Sequence, residues 1–312
     1  MPQYDKLVAY HNGQIIPLSE VRLSIFDNAI MLGDMIYEMT RTFAHQPFLL
    51  DRHLERLETS LKMTYMDCGL SMAEIEKLTL QVLEANLPAL EDDVDVFIRH
   101  DISRGPQRFY GKLLPGQMHP TVVIACIPLI EYLARVADAF DTGIHAVVPN
   151  QQAIPARFLD PKAKTRTRLH YQMANLQAER LAPSSWAILL DEHGFLAEGT
   201  SSNFAIIKDE VIYTPQGRNI LRGVSRSYIE DLASDLGLGY VEADIEPYDV
   251  LEADEAFFSA SSYCLVPVSR FEFRPIGEGK PGPVVKRLLQ EWSCRVGVDI
   301  VAQCHTMAAK YV

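Results

Sequence analysis

The chain turns from apolar to strongly polar at Ala197-Glu198-Gly199-Thr200-Ser201-Ser202-Asn203. The flanking runs, 186–190 and 204–208, are short and apolar, and they therefore predict two strands. A carboxylate followed by a glycine and three hydroxyl residues is typical of a polar turn. The same residue types suit a site in which an acid faces a ring nitrogen and hydroxyl groups lie near a phosphate. The residues alone leave both interpretations open.

The rest of the chain mixes helices and strands without strict β-α-β alternation, which predicts an α+β fold. In the first half we predict a hairpin across Asn12-Gly13, with further elements at 51–65, 94–103, 121–130 and from Ser71 onward. In the second half we predict additional strands at 144–148, 211–214 and 256–260, and helices at 169–181, 225–236 and about 283–296. The predicted organisation is a small N-terminal α/β domain over 1–130, a connector over 131–142, and a larger strand-rich domain over 143–312.

Composition excludes several classes of protein. The 312 residues are 48% hydrophobic and carry a formal net charge of −12, which argues against a nucleic-acid-binding or membrane-binding surface. Five scattered cysteines without a CxxC pair indicate reduced thiols, not a disulfide framework or a zinc site, and we predict no metal. The N-terminus shows no signal-peptide pattern, and the apolar runs are too short to cross a bilayer. We therefore expect a soluble, cytoplasmic protein.

A basic segment, Pro161-Lys162-Ala163-Lys164-Thr165-Arg166-Thr167-Arg168, places cations at every second position. In an extended chain these side chains point to one side. One interpretation is a solvated basic face. The other is an anion site, or a lysine buried among cations, whose lowered pKa leaves the amine nucleophilic. Composition does not decide between them.

Two further stretches are candidate anion sites. Gly223-Val224-Ser225 opens a helix that we predict to be capped by serine, and a helix start offers free N–H groups to a phosphate. Ser259-Ala260-Ser261-Ser262 ends an apolar strand with hydroxyl residues. An ordinary capped helix and a plain turn are the simpler interpretations of these two stretches.

Taken in order, the motifs resemble the class IV aminotransferases, which are pyridoxal-phosphate enzymes of fold type IV. That family includes branched-chain aminotransferases, D-amino-acid aminotransferases and aminodeoxychorismate lyases. The resemblance covers nearly the whole chain, and the joint order and spacing of its motifs are specific. The matching stretches are Gly33–Glu38 (GDxxYE), His53–Leu57 (HxxRL), Ile154–Lys164, Glu198–Asn203 (EGTSSN), Leu221–Arg226 and Ser259–Ser262.

The resemblance implies a two-domain fold type IV architecture whose C-terminal domain is a strand-rich pseudo-barrel. It implies that Lys164 carries pyridoxal phosphate as a Schiff base, with Lys162 the less favoured register, and that Glu198 faces the pyridine nitrogen. It also implies a homodimer. The other residues implied to bind the cofactor are Arg56, Ser202, Asn203, Gly223, Val224, Ser225, Ala260 and Ser261.

The substrate is less clearly indicated. The tyrosines near the start of GDxxYE are replaced by Ile30 and Leu32, and Phe97-Ile98-Arg99 stands where branched-chain enzymes have YIR. By contrast, Gly277–Val284 resembles the tail of branched-chain enzymes. Each candidate arginine for a substrate carboxylate could equally be exposed on the surface. The candidate substrate-binding residues are Arg99, Arg104, Arg108, Tyr110, Ser261 and Ser262.

The leading hypothesis is an aminotransferase that moves an amino group from a branched-chain L- or a D-amino acid to a 2-oxo acid such as 2-oxoglutarate. The small-molecule donor and acceptor would react in a ping-pong cycle. One alternative is a pyridoxal-phosphate lyase of the aminodeoxychorismate type. Another, from a different class, is a non-catalytic binding module that keeps the fold.

Overall fold

A computed structural model describes residues 4–311. Residues 1–3 and Val312 lie outside the described residues. They include the start of the predicted domain 1–130, where a signal peptide would also begin, and the end of the predicted domain 143–312. The chain forms two compact units. The N-terminal unit comprises residues up to Leu129 together with Ala163–Arg168, and the C-terminal unit comprises Ile130–Lys162 and the chain from Leu169 onward. The predicted connector, 131–142, belongs to the C-terminal unit, and the predicted domain boundaries stay a prediction.

The N-terminal unit is an antiparallel six-stranded sheet with two long helices packed on it. The strand order is β2-β1-β6-β5-β3-β4. Apolar side chains of both helices and of the sheet form one buried core, which includes Leu57, Ile75 and Ile98. The strands are β1 (Val8–His11), β2 (Gln14–Pro17), β3 (Met35–Phe43), β4 (Gln46–Pro47), β5 (Val96–Ser103) and β6 (Thr121–Pro128). The helices are α1 (Asn28–Leu32), α2 (Leu50–Met63) and α3 (Met72–Asn86), with 3₁₀ turns at Tyr4–Lys6, Leu18–Glu20, Leu87–Ala89 and Arg108–Leu113.

Local sequence signals set several of these elements. Asn12 and Gly13 have φ of 46° and 95°, the left-handed conformation that a tight hairpin requires, so the predicted hairpin is confirmed. Ser71 and Glu74 form the predicted capping box at the start of α3. Strand β3 was not predicted. It is buried along nearly its whole length yet carries charged residues, so it shows no simple alternation.

The segment Ala163–Arg168 lies beside β3 and pairs with it at one bridge. The Tyr37 N–H donates to the Lys164 carbonyl at 3.0 Å, and the Arg166 N–H donates to the Met35 carbonyl at 2.8 Å. These bonds flank an antiparallel bridge between Ile36 and Thr165. The segment is extended only at this bridge, because the Thr165 N–H donates back to the Ala163 carbonyl at 2.9 Å in a tight turn.

The C-terminal unit is built on a nine-stranded mixed sheet of order β12-β11-β10-β13-β14-β7-β8-β9, with β15 paired to β14. Its strands are β7 (Ile144–Val147), β8 (Trp186–Leu190), β9 (Leu196–Gly199), β10 (Asn203–Lys208), β11 (Val211–Pro215), β12 (Gly239–Ala243), β13 (Glu255–Ala260), β14 (Cys264–Phe271) and β15 (Arg274–Pro275). Its helices are α4 (Ile130–Ala134), α5 (Ala139–Thr142), α6 (Leu169–Leu181), α7 (Val224–Asp235), α8 (Pro247–Leu251), α9 (Pro283–Val296) and α10 (Ile300–Lys310).

This sheet curls back on itself. The Leu196 N–H, in the last strand of the order, donates at 2.8 Å to the carbonyl of Ile245, which follows the first strand of the order. The contact brings the two ends of the sheet together, as a barrel-like sheet requires. The predictions of an α+β fold and of a strand-rich pseudo-barrel in the second half are confirmed.

Candidate active site

Lys164 is partly buried in the N-terminal unit, with its Nζ 4.7 Å from the ring centroid of Tyr37. Burial is the main cause that lowers the pKa of Lys164. The charges of Arg56 and Arg168 lower this pKa further, against the raising effect of Tyr37 and Glu38. A lowered pKa increases the neutral fraction of the amine, which is the form that attacks a carbonyl group.

Glu38 is a fully buried carboxylate that holds the predicted phosphate-binding arginine. Arg56 donates from Nε to Oε2 at 2.9 Å and from Nη2 to Oε1 at 2.6 Å, and His53 Nδ1 lies 3.0 Å from Oε1. Burial acts to raise the pKa of Glu38, but the charge of Arg56 and the hydrogen bonds of His53 and Arg56 hold it well below its usual range. Glu38 is therefore charged, and it fixes the direction of the Arg56 guanidinium. From the sequence, Glu38 was recognised only as part of the GDxxYE motif, and no role was predicted for it. An acidic residue between apolar neighbours does indicate a buried carboxylate that needs a partner.

Helix α2 presents its functional side chains on one face. His53, Arg56 and Ser60 are spaced three and four residues apart, which aligns them along the helix. The buried Ser60 hydroxyl accepts the Lys164 backbone N–H at 3.1 Å. The helix therefore anchors both the lysine backbone and the arginine beside it.

Two arginines follow Lys164 at alternate positions, and both lie against the ring of Tyr37. The guanidinium carbons of Arg166 and Arg168 are 3.7 and 5.6 Å from its centroid. Arg168 Nη1 also donates to the Tyr37 hydroxyl at 2.5 Å, and Arg166 Nε donates to Asp101 at 2.9 Å. The basic segment is thus partly buried around one aromatic ring, and the interpretation as a wholly solvated face is wrong.

Lys162, the less favoured candidate for the Schiff-base lysine, has other partners within the C-terminal unit. Its Nζ lies 2.9 Å from Asp160 Oδ1 and donates to the Arg218 carbonyl at 3.0 Å. These contacts support Lys164 as the reactive lysine.

The predicted substrate-binding residues of the N-terminal unit differ in their surroundings. Arg99 pairs with Asp101, which joins it to Arg166. The exposed Arg104 donates to Asp34 and to the carbonyls of Thr64 and Tyr65, so it ties surface segments of this unit together.

The 3₁₀ turn Arg108–Leu113 carries the other two candidates. Arg108 is exposed, and the ring of Tyr110 stacks on Phe26 at 4.5 Å between centroids. Arg99 is linked through Asp101 to Arg166, which lies on the ring of Tyr37. None of the contacts described here links Arg108 or Tyr110 to that ring.

Glu198 is buried at the end of β9 and is held by neutral donors. The Tyr171 hydroxyl donates to Oε1 at 2.7 Å, the Leu221 N–H donates to Oε2 at 3.0 Å, and the Asn203 amide donates to Oε2 at 3.3 Å. Tyr171 was missed by sequence reasoning, because it lies 27 residues from Glu198 and nothing local links the two. The arrangement keeps a carboxylate in place without a cationic partner among these three donors.

Gly223, not Ser225, is the N-cap of α7, so the prediction of a serine cap is wrong. A Cβ at Gly223 would lie 2.0 Å from the Asn203 Oδ1 atom, so a glycine is required at this close approach. Ser225 is instead the second residue of the helix and is buried. The Asn203 amide also donates to the Leu221 carbonyl at 2.9 Å, and it thereby connects Glu198 to the glycine turn.

The remaining cofactor candidates of the C-terminal unit lie at the same end of the sheet. Asn203, the first residue of β10, pairs with Ser259 near the end of β13. Ser202 is buried, whereas Ser261 and Ser262 are half-buried in the turn after Ala260. An uncapped helix start, several hydroxyl groups and a buried carboxylate therefore lie together, and this donor set fits a phosphorylated cofactor with a basic ring nitrogen.

Residues 35–271 match the model of the family described as amino-transferase class IV. The chain belongs to this family. A branched-chain-amino-acid aminotransferase of Pseudomonas aeruginosa is 28% identical over 90% of this chain and 90% of its own length. A D-alanine aminotransferase of Bacillus licheniformis is 28% identical over 89% and 93%. The crystal structure of a T.th. branched-chain amino acid aminotransferase complexed with N-(5'-phosphopyridoxyl)-L-glutamate superposes with a TM-score of 0.83. It is 26% identical and covers 95% of this chain and 96% of its own.

These matches confirm the predicted family, fold type and class of enzyme. This class IV aminotransferase is a pyridoxal-phosphate-dependent transaminase. Over residues 4–311, the structure contains no group of three or more His, Cys, Asp or Glu side chains arranged to hold a metal ion. Within the same range, no helix is both long and apolar enough to cross a membrane.

Proposed function

We propose that this aminotransferase transfers the amino group of a branched-chain L-amino acid or a D-amino acid to a 2-oxo acid such as 2-oxoglutarate. The names of its relatives, which include branched-chain and D-alanine aminotransferases, support this choice of donors. The observation that carries the proposal is the environment of Lys164, a partly buried amine whose pKa is lowered by burial and neighbouring cations. That environment suits a lysine that reacts with a carbonyl group and then moves a proton.

When bound, pyridoxal phosphate supplies an aldehyde that takes up the amino group and a ring that accepts electron density from the neighbouring carbon. In our proposal, Lys164 holds the cofactor through its Nζ and, when released, accepts and returns the proton of the substrate carbon. Glu198 keeps a proton on the ring nitrogen, because a buried carboxylate stabilises the positive charge there. The three donors to Glu198 hold its carboxylate in one direction.

The phosphate would be bound by Arg56, the start of α7 and the hydroxyl turn. The Glu38 carboxylate orients Arg56 before any ligand arrives, which lowers the entropic cost of binding. The first N–H groups of α7 lie at the positive end of the helix dipole. The residues proposed to contact the cofactor are Arg56, Lys164, Glu198, Ser202, Asn203, Gly223, Val224, Ser225, Ala260 and Ser261.

We also propose that the enzyme is a cytoplasmic homodimer. The reduced state of its buried cysteines, such as Cys126 and Cys304, supports an intracellular location. Exposed apolar side chains on the N-terminal unit, including Ile30, Leu32 and Phe109, support an association surface. Light scattering after size exclusion measures the oligomeric state, and a monomer at micromolar concentration would contradict the proposed dimer.

A donor–acceptor assay tests the function. The holoenzyme is incubated with L- and D-amino acids, with 2-oxoglutarate, pyruvate or no acceptor. Sustained turnover that requires an acceptor is expected, because a ping-pong transaminase stops after one half-reaction without it. Lys164→Ala should lower kcat by at least a thousandfold, on the order expected for losing a catalytic base. Sustained pyruvate release beyond one equivalent per site without an acceptor, or unchanged turnover of Lys164→Ala, would contradict the proposal.

A further inference from the structure

The basic segment contains two arginines, Arg166 and Arg168, that the cofactor contacts proposed above do not use. Both lie on the ring of Tyr37, the ring that also faces the Lys164 amine. We infer that Arg166 and Arg168, positioned by Tyr37, form the subsite that binds the carboxylate of the amino-acid substrate. The inference rests on the proposed function, because it takes Lys164 as the reacting amine.

Proximity to Lys164 is the first argument. In an α-amino acid, the carboxylate carbon and the nitrogen are bonded to the same carbon, so the two groups lie within about 3 Å of each other. A substrate that reacts beside Lys164 therefore brings its carboxylate close to that lysine. Arg166 and Arg168 are the next two cations of the basic segment, and the ring of Tyr37 lies against all three cations, which places them on one side.

The charge balance is the second argument. Asp101 forms ion pairs with both Arg99 and Arg166, so one carboxylate is shared by two guanidinium groups. Arg166 Nη2 forms an ion pair with Asp101 Oδ1 at 2.8 Å, and no other partner of this atom is found among the residues that the structure describes. Two guanidinium groups on one carboxylate leave a net positive charge, which an incoming carboxylate would balance.

Tyr37 provides the third argument. Its phenol oxygen accepts a hydrogen bond from Arg168. Because the protonated phenol is neutral, it does not neutralise the positive charge of Arg168. Burial acts to raise the pKa of Tyr37, but the charges of Lys164, Arg168 and Arg166 bring the pKa below its ordinary value. The three cations therefore outweigh the burial of this ring, which favours an anionic ligand beside it.

The contacts and exposure of Arg104 make it a weaker candidate for binding the substrate carboxylate. The donors of Arg104 are directed to Asp34 and to two backbone carbonyls, and its side chain is 38% exposed. Water screens a carboxylate bound there, so that ion pair would contribute less than one beside Lys164. Arg166 is 27% exposed and has a rigid aromatic face beneath it.

The test compares two amino donors in the holoenzyme: an α-amino acid, and the primary amine that has the same side chain but no carboxylate. The first half-reaction is followed in the visible band of the cofactor for the wild type and for Arg166→Met and Arg168→Met. We expect each variant to lower the apparent second-order rate constant for the amino acid by roughly tenfold to a hundredfold. The rate constant for the amine should change by less than about threefold, because the amine makes no charge-assisted bond to the subsite.

Three further variants make the result specific. Arg168→Lys keeps the charge without the planar fork, and should show a smaller loss than Arg168→Met. Tyr37→Phe keeps the ring but removes the oxygen that positions Arg168, so it should lower the amino-acid rate severalfold and spare the amine. Arg135→Met removes an exposed i,i+4 ion pair between Glu131 of α4 and Arg135, which directly follows this helix, and should change neither rate.

Equal losses for the amino acid and the amine would overturn the inference, as would a selective loss in Arg104→Met or Arg108→Met in place of the two proposed residues. If Arg168→Met does not fold, Arg168→Lys and Tyr37→Phe decide by the same ratio of rates. A wild-type protein without a borohydride-sensitive visible band would instead show that the proposed function is wrong. An intact band with an unchanged ratio would refute the subsite alone.

Discussion

The two units hold the buried carboxylates near the proposed reactive groups in different ways, although Asp27 of the N-terminal unit is held by neutral donors. In the N-terminal unit, Glu38 and Asp101 are each paired with arginines. In the C-terminal unit, Glu198 receives hydrogen bonds from Tyr171, Asn203 and Leu221, which are neutral donors. Glu255 in the same unit likewise accepts the N–H groups at the start of α9.

The difference follows from the chemistry that each proposed residue performs. A lysine amine becomes reactive when burial and nearby cations lower its pKa, so the N-terminal unit needs fixed arginines close to Lys164. An acid that must stabilise a positive ring nitrogen loses that capacity when a cation already neutralises it. Tyr171, Asn203 and Leu221 orient Glu198 without themselves neutralising its charge.

The largest expected effect is on the buried ion pair of the N-terminal unit. Glu38→Gln leaves the Arg56 guanidinium without its carboxylate, and should lower the free energy of unfolding by about 4 kcal/mol. Glu255→Gln is the matched variant in the C-terminal unit, and it should cost about 1 kcal/mol because its partners are neutral. Urea titration of both variants measures the difference. Equal losses would remove the distinction between the two units.

The next largest expected effect is a pH dependence of stability that arises from His100 in the N-terminal unit. The buried His100 Nε2 donates to Thr79, whose own hydroxyl proton goes to the Ile75 carbonyl, and Nδ1 is a buried atom without a hydrogen-bond partner among the described residues. Burial is the main cause that lowers the pKa of His100 to about 4. Between about pH 6.5 and 4, the unfolded chain therefore binds more protons, and stability falls as the pH falls.

His100→Gln keeps a donor toward Thr79 but removes this titration. Across that pH window the wild type should lose about 3 kcal/mol more of its free energy of unfolding than the variant does. Urea titrations at pH 7 and 4.5 measure most of this difference. Parallel losses in the two proteins would show that His100 is not the titrating group.

A smaller expected effect separates charge from orientation in the C-terminal unit. Glu198→Gln keeps the shape of the side chain but removes its charge, and should lower kcat roughly a hundredfold. Tyr171→Phe removes one donor to Glu198 and keeps the charge, so it should lower kcat by only about fivefold to tenfold. Steady-state assays give both values. A loss in Tyr171→Phe as large as that in Glu198→Gln would mean that Tyr171 has a further role in the reaction.

The parts of the fold that the sequence predicted are those with local causes. Helices 169–181 and 283–296 were predicted with their observed ends, since apolar periodicity and a starting proline are local signals. Strands β3 and β14 were not predicted, because buried polar residues in one and a proline in the other obscure the pattern.

The candidate site shows the same division between local and long-range causes. The motif residues could be chosen from sequence, but their partners lie far away in the chain. Glu38 reaches Arg56 across 18 residues, and Asn203 of β10 approaches Gly223 at the start of α7. The serine cap was predicted wrongly because α7 begins at Val224, so Gly223 is the N-cap and Ser225 lies inside the helix.

Borohydride reduction of the holoenzyme, followed by digestion and mass spectrometry, is the most direct test of the central claim that Lys164 carries the cofactor. Reduction fixes the cofactor to the nitrogen that holds it, so the modified residue can be read from the fragment masses. The account predicts the phosphopyridoxyl group on Lys164, with Lys162 unmodified. A label on Lys162 or on any other lysine, or no label at all, would contradict it.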